Sequence, residues 1–425
     1  MTAPVLLFSS FGVLLVMGAP ITLALSASAA LTYIFVGQEL TTLVQIAFSS
    51  VNSFPIMALP AFVLAGALME SAGISRRIVS VAERMVGRMN GGLAVTTVLA
   101  CVFFGAISGS GPATTAAVGM LMIPAMVKRG YAKDYAATAV ATAGGIGIII
   151  PPSIPMVIYG VCAQASITKM FLGGVVPGLI FALALIVVHL VLCHGKDLIQ
   201  GVEPFSPLGL LKSVKEGFFA IMAPVLILGG IYSGMFTPTE AAIVAIFYTV
   251  IIGTFLYREL RFKDVLKSLE TTCWMTGRVL IIMFAAYAFG RLLVQYRIPT
   301  VIAEGMLSIS SNPAVIWAMV IAFLLFLGMF METLAIIMLV TPVLLPVMKT
   351  IGVDPIHFGV VLVCCCAIGF STPPLGENLF VASGISGVTL ERLAMRALPF
   401  CFMNIVAIIL MAAFPQLILW LPNLF

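Results

Sequence analysis

Apolar stretches, most of them long enough to cross a bilayer, follow one another along almost the whole chain. A helix needs about 20 apolar residues to span the hydrocarbon core. Charged residues, Gly or Pro bound these stretches, which cover 4–18, 20–36, 54–73, 92–127, 135–162, 171–193, 219–234, 236–257, 272–296, 314–348, 357–385 and 398–423. Hydrophobic residues make up 62% of the chain and charged residues only 9%, against about 25% charged in soluble domains. The sequence therefore predicts an all-α polytopic membrane protein and excludes a soluble enzyme, a disordered chain and a fibrous protein.

The basic residues are placed as topology signals rather than as a nucleic-acid surface, so the lipid bilayer is the expected partner and nucleic acid is not. The net charge is +5, but Lys and Arg occur in short clusters between apolar stretches, where they orient membrane helices. The 8 Cys residues lie in or beside apolar stretches, and we interpret them as small apolar residues rather than metal ligands. The first apolar stretch lacks a basic segment before it and is interpreted as a retained membrane segment.

The two halves of the chain match each other at a constant offset. The matching residues of the first half are Pro124, Met126, Gly130, Ile146, Gly147 and Pro151-Pro152. Their identical counterparts in the second half are Pro346, Met348, Gly352, Ile368, Gly369 and Pro373-Pro374. Internal repeats of this kind are typical of secondary transporters. We predict a first repeat over 1–195, a linker over 196–217 and a second repeat over 218–425.

Two apolar stretches are too long for one membrane helix and are interrupted at their centres. Ser108-Gly109-Ser110-Gly111-Pro112 breaks the stretch 92–127, and its counterpart 314–348 has a tip near 331–335. Each limb of about 16 residues would be about 24 Å long as a helix, shorter than the hydrocarbon core of about 30 Å. Both stretches are predicted to be re-entrant hairpins whose tips line a cavity, because irregular backbone at membrane depth needs protein or water around it.

Loop charges favour re-entrant hairpins and place the two repeats in opposite orientations. If hairpin 92–127 does not cross, the basic clusters before and after it lie on one side, as the positive-inside rule requires. Threading the other stretches on that basis leaves only Lys169, Arg297 and Lys349 of the loop cations outside. The second hairpin then opens from the outer side, the repeats are inverted, and both termini are external.

Each hairpin is followed by an apolar stretch that cannot form a regular helix. Stretch 135–162 contains Gly144-Gly145-Ile146-Gly147 and Pro151-Pro152, and stretch 357–385 contains Pro373-Pro374. Consecutive prolines remove backbone donors and clash with the preceding turn. We predict that both helices are broken near the bilayer midplane, in a position typical of transport sites. Kinks that serve packing alone are the alternative.

Freed carbonyls and neighbouring hydroxyls suggest at least two cation sites in one cavity, because oxygen ligands suit a hard cation such as Na⁺. The predicted Na⁺ ligands are Ser108, Ser110, Gly144, Gly145, Gly147, Ile150 and Pro151 at the first break and Thr333, Gly369, Ser371, Thr372 and Pro373 at the second. Half-helix N-termini attract anions. The predicted substrate-binding residues are Ser110, Gly111, Pro152, Ser153, Glu332, Gly376 and Asn378.

Ionisable residues within apolar stretches are functional candidates by default. They are Glu70, Glu240, Glu332, Glu377, Arg278, Arg291 and His189. Glu332 and Glu377 are the most central, Arg291 either pairs structurally or faces a polar lumen, and Glu240 and His189 are interpreted as structural. The sequence contains no His-Glu-x-x-His and no nucleotide-binding loop, so no enzyme is predicted. An intramembrane enzyme and an ion channel are the disfavoured alternatives.

Two basic stretches between the apolar ones suggest bracing elements. Stretch 75–88 places Ile78, Val81 and Met85 with helical spacing and predicts an amphipathic helix lying in the membrane interface. Stretch 258–270 is similarly basic and is expected to lie flat on the cytoplasmic side, with a solvated loop as the alternative.

Several blocks together are similar to one known family. They are 105–119 with Ser108-Gly109-Ser110, Gly130-Tyr131, 149–153, Pro177-Gly178, 234–242 with Thr237-Pro238-Thr239-Glu240-Ala241, Met331-Glu332 and Pro373-Pro374-Leu375-Gly376. They resemble the large membrane subunit of the tripartite ATP-independent periplasmic (TRAP) transporters, the DctM or SiaM type, over nearly the whole chain.

The resemblance implies an elevator-type transporter in the bacterial inner (cytoplasmic) membrane, with a fixed scaffold and a moving transport domain. It implies Na⁺-driven import of an organic anion delivered by a periplasmic substrate-binding protein of the DctP/SiaP type. A small four-helix membrane subunit of the DctQ/SiaQ type is implied as a separate chain. The family's substrates include sialic acids and C4-dicarboxylates. N-acetylneuraminate is expected first, and C4-dicarboxylates or other sugar acids are the alternatives.

Overall fold

The computed structural model describes residues 2–52, 54–87, 89–195, 206–374 and 376–425, and within these ranges the chain is helical with turns and no strands. In this part of the chain 7 helical segments are long and apolar enough to cross a membrane, or up to 8 if one bent pair is a single span. The prediction of an all-α membrane protein is confirmed.

The described part of the first half runs from α1 to α10. These helices are α1 (Ala3–Val16), α2 (Ile21–Phe35), α3 (Thr41–Val51), α4 (Ala58–Ser71), α5 (Ile74–Val86), α6 (Gly92–Ser108), α7 (Gly111–Lys128), α8 (Lys133–Gly144), α9 (Ile154–Ala163) and α10 (Ile167–Cys193). Short 3₁₀ helices at Phe54–Met57 and Gly145–Ile148 adjoin α4 and α8. Ser110, Ser153 and Ser166 start α7, α9 and α10, since each side chain accepts a hydrogen bond from a backbone N–H three residues later.

The described part of the second half runs from α11 to α21, and its last helices follow the same order as α6 to α10. Its helices are α11 (Pro207–Glu216), α12 (Phe218–Tyr232), α13 (Pro238–Ile251), α14 (Phe262–Gln295), α15 (Ile298–Ile309), α16 (Pro313–Phe330), α17 (Thr333–Thr350), α18 (Pro355–Gly369), α19 (Glu377–Ser386), α20 (Leu390–Ala413) and α21 (Gln416–Leu419). A π-helical turn at Ile252–Leu256 follows α13. Glu240 forms a capping box with Thr237 at the start of α13, a structural role.

The helices pack into two groups. The central group contains α6 to α10 and α16 to α20, with α7 packed on α8 and α19, α16 on α18, and α10 on α20. The flanking group contains α1 to α4, α12, α13 and α14, with α14 packed along α2, α3 and α4. The two groups meet where α14 packs on α17, and also where α4 and α12 pack on α6.

The helix breaks lie where Gly, Ser and Pro interrupt the apolar stretches. We call the turn between α6 and α7 the first tip and that between α16 and α17 the second tip. The first break separates α8 from α9, the second separates α18 from α19, and the Pro-Pro peptide is cis in both.

The limbs of the second hairpin are longer than expected. Helices α16 and α17 have 18 residues each, about 27 Å as helix, and each is long enough to be a span. Limb length alone therefore does not make the second hairpin re-entrant.

Some elements differ from the sequence expectations. Helix α14 is continuous over 34 residues, about 51 Å, so residues 262–270 are its first turns and not a separate segment lying flat. Helices α3 and α15 are absent from the predicted stretches, because the first is rich in Ser and Thr and the second contains Glu304 and Gly305.

The predicted amphipathic helix is present as α5. It buries Ile74, Ile78 and Val81 and exposes Arg76. Its charges are fixed by neighbours: Arg77 pairs with Glu259 at 2.9 Å and stacks on a tyrosine ring. The end of the predicted stretch, Arg88, and residues 196–205 of the predicted linker lie outside the described residues.

Candidate functional site

The first tip holds a compact cluster of hydroxyl groups. Ser108 ends α6, and its Oγ lies 2.8 Å from Oγ1 of Thr114. Thr114 donates in turn to the carbonyl oxygen of Ser110 at 2.7 Å. Between the two serines, Gly109 has φ +61, a left-handed conformation that glycine adopts at little cost. Its carbonyl accepts a hydrogen bond from the Ile154 N–H at 3.3 Å, which ties the tip to the first break.

Glycines let the first break approach this cluster. A methyl group at Gly147 would lie 2.9 Å from the Ser110 carbonyl oxygen and would overlap the Thr114 hydroxyl. One at Gly105 would lie 2.9 Å from the Gly147 Cα. The predicted ligands Ser108, Ser110 and Gly147 are therefore brought together by close backbone packing.

The second break reaches the same place from the other half of the chain. Ala141 of α8 offers its carbonyl oxygen to Asn378 Nδ2 at 3.0 Å and to the Ser371 hydroxyl at 3.3 Å. A methyl group at Gly111 would meet the ring of Phe370 and, at 3.2 Å, Oδ1 of Asn378. We call this region, where the first tip meets both breaks, the polar centre.

Two buried oxygen atoms in the polar centre have no hydrogen-bond partner among the described residues. They are Oγ1 of Thr115 and Oδ1 of Asn378. Both residues are fully buried, and the Thr115 hydroxyl lies against Gly144. A buried polar atom without a partner is costly, so these oxygens are candidate ligands for a cation. Thr114 and Thr115 were missed in the sequence, although Thr114 lies one helical turn after Ser110.

Other predicted residues of these breaks have local partners. Ser153 caps α9 and accepts from the Met156 N–H at 3.4 Å. Thr372 donates to the Ile368 carbonyl within its own chain segment at 2.8 Å. The side chain of Ile150 packs against Gly178, so only its backbone faces the break. Pro151, Pro152 and Pro373 form the two cis prolyl peptides together with Pro374, and Gly376 has φ +38. Gly145 lies beside the Ala367 carbonyl oxygen.

The second tip contacts both α14 and the second break. Thr333 is buried at the start of α17, and Glu332 pairs with Arg278 at 3.1 Å. Glu377 lies near enough to both to interact with them electrostatically. A methyl group at Gly369 would lie 2.7 Å from the Gly328 carbonyl oxygen, a close approach like that of Gly105 and Gly147 in the first half.

Cavities border α14 along its length. One of ≈ 670 Å³ lies where the start of α14 meets the end of α4 and is lined by Glu70, Ser71, Lys267 and Ser268 among others. A cavity of ≈ 560 Å³ lies beside Arg278, and one of ≈ 490 Å³ lies beside Arg291.

Known proteins match almost the whole chain. Residues 8–417 match the family described as "Tripartite ATP-independent periplasmic transporter, DctM component". The chain is 44% identical over 412 residues to the isethionate TRAP transporter permease protein DctMQ of Oleidesulfovibrio alaskensis, covering 97% of this chain and 65% of that relative's length. It is 39% identical to the C4-dicarboxylate TRAP transporter large permease protein DctM of Pseudomonas aeruginosa. It is 38% identical to the sialic acid TRAP transporter large permease protein SiaM of Vibrio cholerae. These two alignments each cover 88% of both proteins.

Solved structures show the same fold at low sequence identity. The YdaH transporter of Alcanivorax borkumensis matches with a TM-score of 0.67 at 15% identity, over 98% of each chain. MtrF of Neisseria gonorrhoeae matches with a TM-score of 0.59 at 14% identity, over 90% of this chain and 83% of that one. At such identities the likeness concerns the fold alone.

Proposed function

Because the chain belongs to the DctM component family of the tripartite ATP-independent periplasmic transporters, we propose that it is the large membrane subunit of a secondary importer of organic anions. The observation that carries the proposal is the polar centre, in which the first tip meets both helix breaks. Broken helices of this kind bind the substrate and the coupling ions in secondary transporters. The family is one of transporter permeases rather than enzymes.

The proposed machinery has two further proteins and sits in the bacterial inner membrane. A small four-helix membrane subunit and a periplasmic substrate-binding protein are the partners, as the description "tripartite" and "periplasmic" of the family supports. The membrane-length helices of the described residues support a multi-pass position in the bilayer.

The proposed driving ion is Na⁺, bound at one site near each tip. Ser108, Ser110, Thr114 and the carbonyls of the first break support the first site, because neutral oxygen ligands suit a hard monovalent cation. The second site is proposed beside Thr333 and Gly369, which occupy corresponding positions in the second half. The unpartnered oxygens of Thr115 and Asn378 support an ion or a substrate group between them.

The proposed movement is an elevator, in which the central group of helices slides past the flanking group. Two features support it: the division of the helices into the two groups, and the matching order of elements in the two halves. In this proposal α14 stays fixed in the membrane, and the second tip slides along its surface.

The proposed substrate is a small organic anion. The three relatives named above are called transporters of isethionate, C4-dicarboxylates and sialic acid. This chain is 44%, 39% and 38% identical to them, in that order. The highest of these identities supports a compact sulfonate such as isethionate as the first substrate to test. C4-dicarboxylates and N-acetylneuraminate stay the predictions from the resemblance. A half-helix N-terminus at Ser110 supports binding of an anionic group in the polar centre.

Uptake in proteoliposomes tests the proposal. The chain is reconstituted with its small subunit and with the binding protein loaded with isethionate, succinate or N-acetylneuraminate in separate reactions. We expect accumulation of one anion that requires inward Na⁺ and increases with a negative interior. Accumulation that is unchanged when choline replaces Na⁺, at a constant proton gradient, would contradict Na⁺ coupling. No accumulation of any of the three anions would contradict the proposed substrate class.

A further inference from the structure

Two adjoining cavities lie near the C-terminal end of α14, away from the polar centre. Their volumes are ≈ 460 and ≈ 490 Å³, and both are lined by Ser49, Gln164 and Tyr287. The walls come from α3 and α14 on the flanking side and from the end of α9 and α17 on the central side. The shared lining makes them adjoining parts of one region between the two groups of helices, called here the space beside Arg291. Its size is within the range of small-molecule sites.

One charged side chain lines this space among the described residues, and it is Arg291. It forms no ion pair with a described carboxylate. Arg291 lies near enough to the phenol of Tyr33 on α2 to interact with it electrostatically. Arg291 lies 13 residues beyond Arg278, about 20 Å along the helix, so it is remote from the second tip. An unpaired guanidinium in a cavity is suited to bind a carboxylate or sulfonate with two parallel hydrogen bonds.

The opposite wall carries the C-terminal cap of α9. Gln164 caps this helix with φ +52, a left-handed conformation that is common at helix C-termini and uncommon elsewhere for residues other than Gly and Asn. The conformation lies in the turn that joins α9 to α10, and the Gln164 side chain lines both cavities. Its amide adds hydrogen-bond donors to the charge of Arg291, and the Tyr287 hydroxyl donates to Cys162 Sγ at 4.0 Å.

We propose that this space is a second binding site for a compact organic anion, with Arg291 as the receptor of its carboxylate or sulfonate group. The site rests on the proposed transport function, and on the proposed topology it faces outward, beside Lys169 and Arg297. It is separate from the polar centre and receives the anion before the central group of helices does. Because its walls belong to both groups, its shape changes when they slide.

A native cysteine permits a direct test that does not depend on transport. Cys162 lines the cavity beside Arg291 and is partly exposed. Among the described residues, Cys273 is the one exposed cysteine and would compete for the reagent. In a Cys273→Ser background, the purified full chain is treated with three thiol reagents of similar size. One carries a sulfonate, one a trimethylammonium group and one no charge. The reaction rate of the neutral reagent measures how accessible Cys162 is, and the rates of the two charged reagents are divided by it.

We expect the sulfonate reagent to react faster than the ammonium reagent at Cys162, and Arg291→Gln to lower this ratio roughly tenfold. A unit charge several ångströms away changes the local concentration of each ion about threefold in water. Arg297→Gln is the control, because Arg297 is a nearby cation that lines neither cavity, and it should change the ratio less than twofold. Free isethionate and succinate should slow the sulfonate reagent in the parent and not in Arg291→Gln.

An equal ratio in the parent and in Arg291→Gln would overturn the site. Failure of all three reagents to reach Cys162 would also overturn it, since an open cavity is its premise. Labelling that follows the expected pattern while proteoliposomes accumulate no anion would overturn the transport proposal alone. Normal accumulation with a charge-independent ratio would overturn the site alone.

Discussion

The guanidinium of Arg278 on α14 lies 3.1 Å from the carboxylate of Glu332 at the second tip, and this ion pair joins the two groups of helices. The Arg278 side chain is 64% exposed and that of Glu332 is 18% exposed. Sliding of the central group past α14 requires this pair to separate and re-form.

Cross-linking this pair should stop transport. Arg278→Cys with Glu332→Cys, joined by a short bifunctional thiol reagent in a background without Cys162 and Cys273, fixes the second tip to α14. We expect loss of nearly all uptake, and recovery when a reducible linker is cleaved. The measurement is anion uptake before and after reduction.

A second ion pair supplies the matched control for this cross-link. Arg396 of α20 and Asp134 of α8 also lie 3.1 Å apart, but both belong to the central group. Joining Arg396→Cys to Asp134→Cys should leave uptake within about twofold of the uncross-linked protein. Full uptake with the Arg278 and Glu332 positions joined would rule out sliding at this contact.

Gly147→Ala should inactivate the transporter because its Cβ would collide with the first tip. The added methyl group would lie 2.9 Å from the Ser110 carbonyl oxygen, and overpacking of this kind costs about 1–3 kcal/mol. We expect Tm to fall and uptake to fall at least tenfold. Gly229→Ala is the control, because a methyl group there meets no described atom within 4 Å. Equal uptake by both variants would show that the close packing at Gly147 is dispensable.

Inverted repeats predict that two similar lysines lie on opposite faces of the membrane. Lys128 ends α7 and Lys349 lies in the last turn of α17, and both are exposed. Single cysteines at these positions, in a background without native cysteine, are treated with a membrane-impermeant thiol reagent in intact cells. Position 349 should be labelled and position 128 should require permeabilised cells. Labelling of both in intact cells would mean that the first hairpin crosses the membrane.

Local signals accounted for the breaks and the tips, because Gly, Ser and Pro act on the backbone where they occur. The turn at Ser108 to Gly111 and the proline pairs were visible without any tertiary information. By contrast, the hydrogen bond from Asn378 to the Ala141 carbonyl joins residues of different halves. The hydrophobic periodicity of a sequence does not encode such a long-range pairing. The contact between the second break and the first tip could therefore not be predicted from the sequence.

Some features were missed because their residues carry weak signals. Helix α3 was overlooked since its Ser and Thr residues lower its hydropathy. Thr114 and Thr115 are not among the predicted ligands, although Thr114 lies one turn from Ser110 and its hydroxyl bonds to that of Ser108. The pairing of Arg278 with Glu332 depends on how α14 lies against the second tip, which composition does not indicate.

The Na⁺ dependence of uptake in Ser108→Ala tests the central claim most directly, with Thr97→Ala as the matched control. Both variants lose one buried hydroxyl of α6. The Thr97 hydroxyl donates to the Leu93 carbonyl oxygen and to the Met126 sulfur, about 16 Å from the tip. Loss of a ligand in a buried site costs about 1–3 kcal/mol, or roughly tenfold to a hundredfold in affinity. We predict that the half-saturating Na⁺ concentration rises at least tenfold in Ser108→Ala, and similarly in Thr333→Ala, while Thr97→Ala keeps the parent value. Unchanged Na⁺ curves in Ser108→Ala and Thr333→Ala, with lowered Tm, would contradict the claim and leave these residues a packing role.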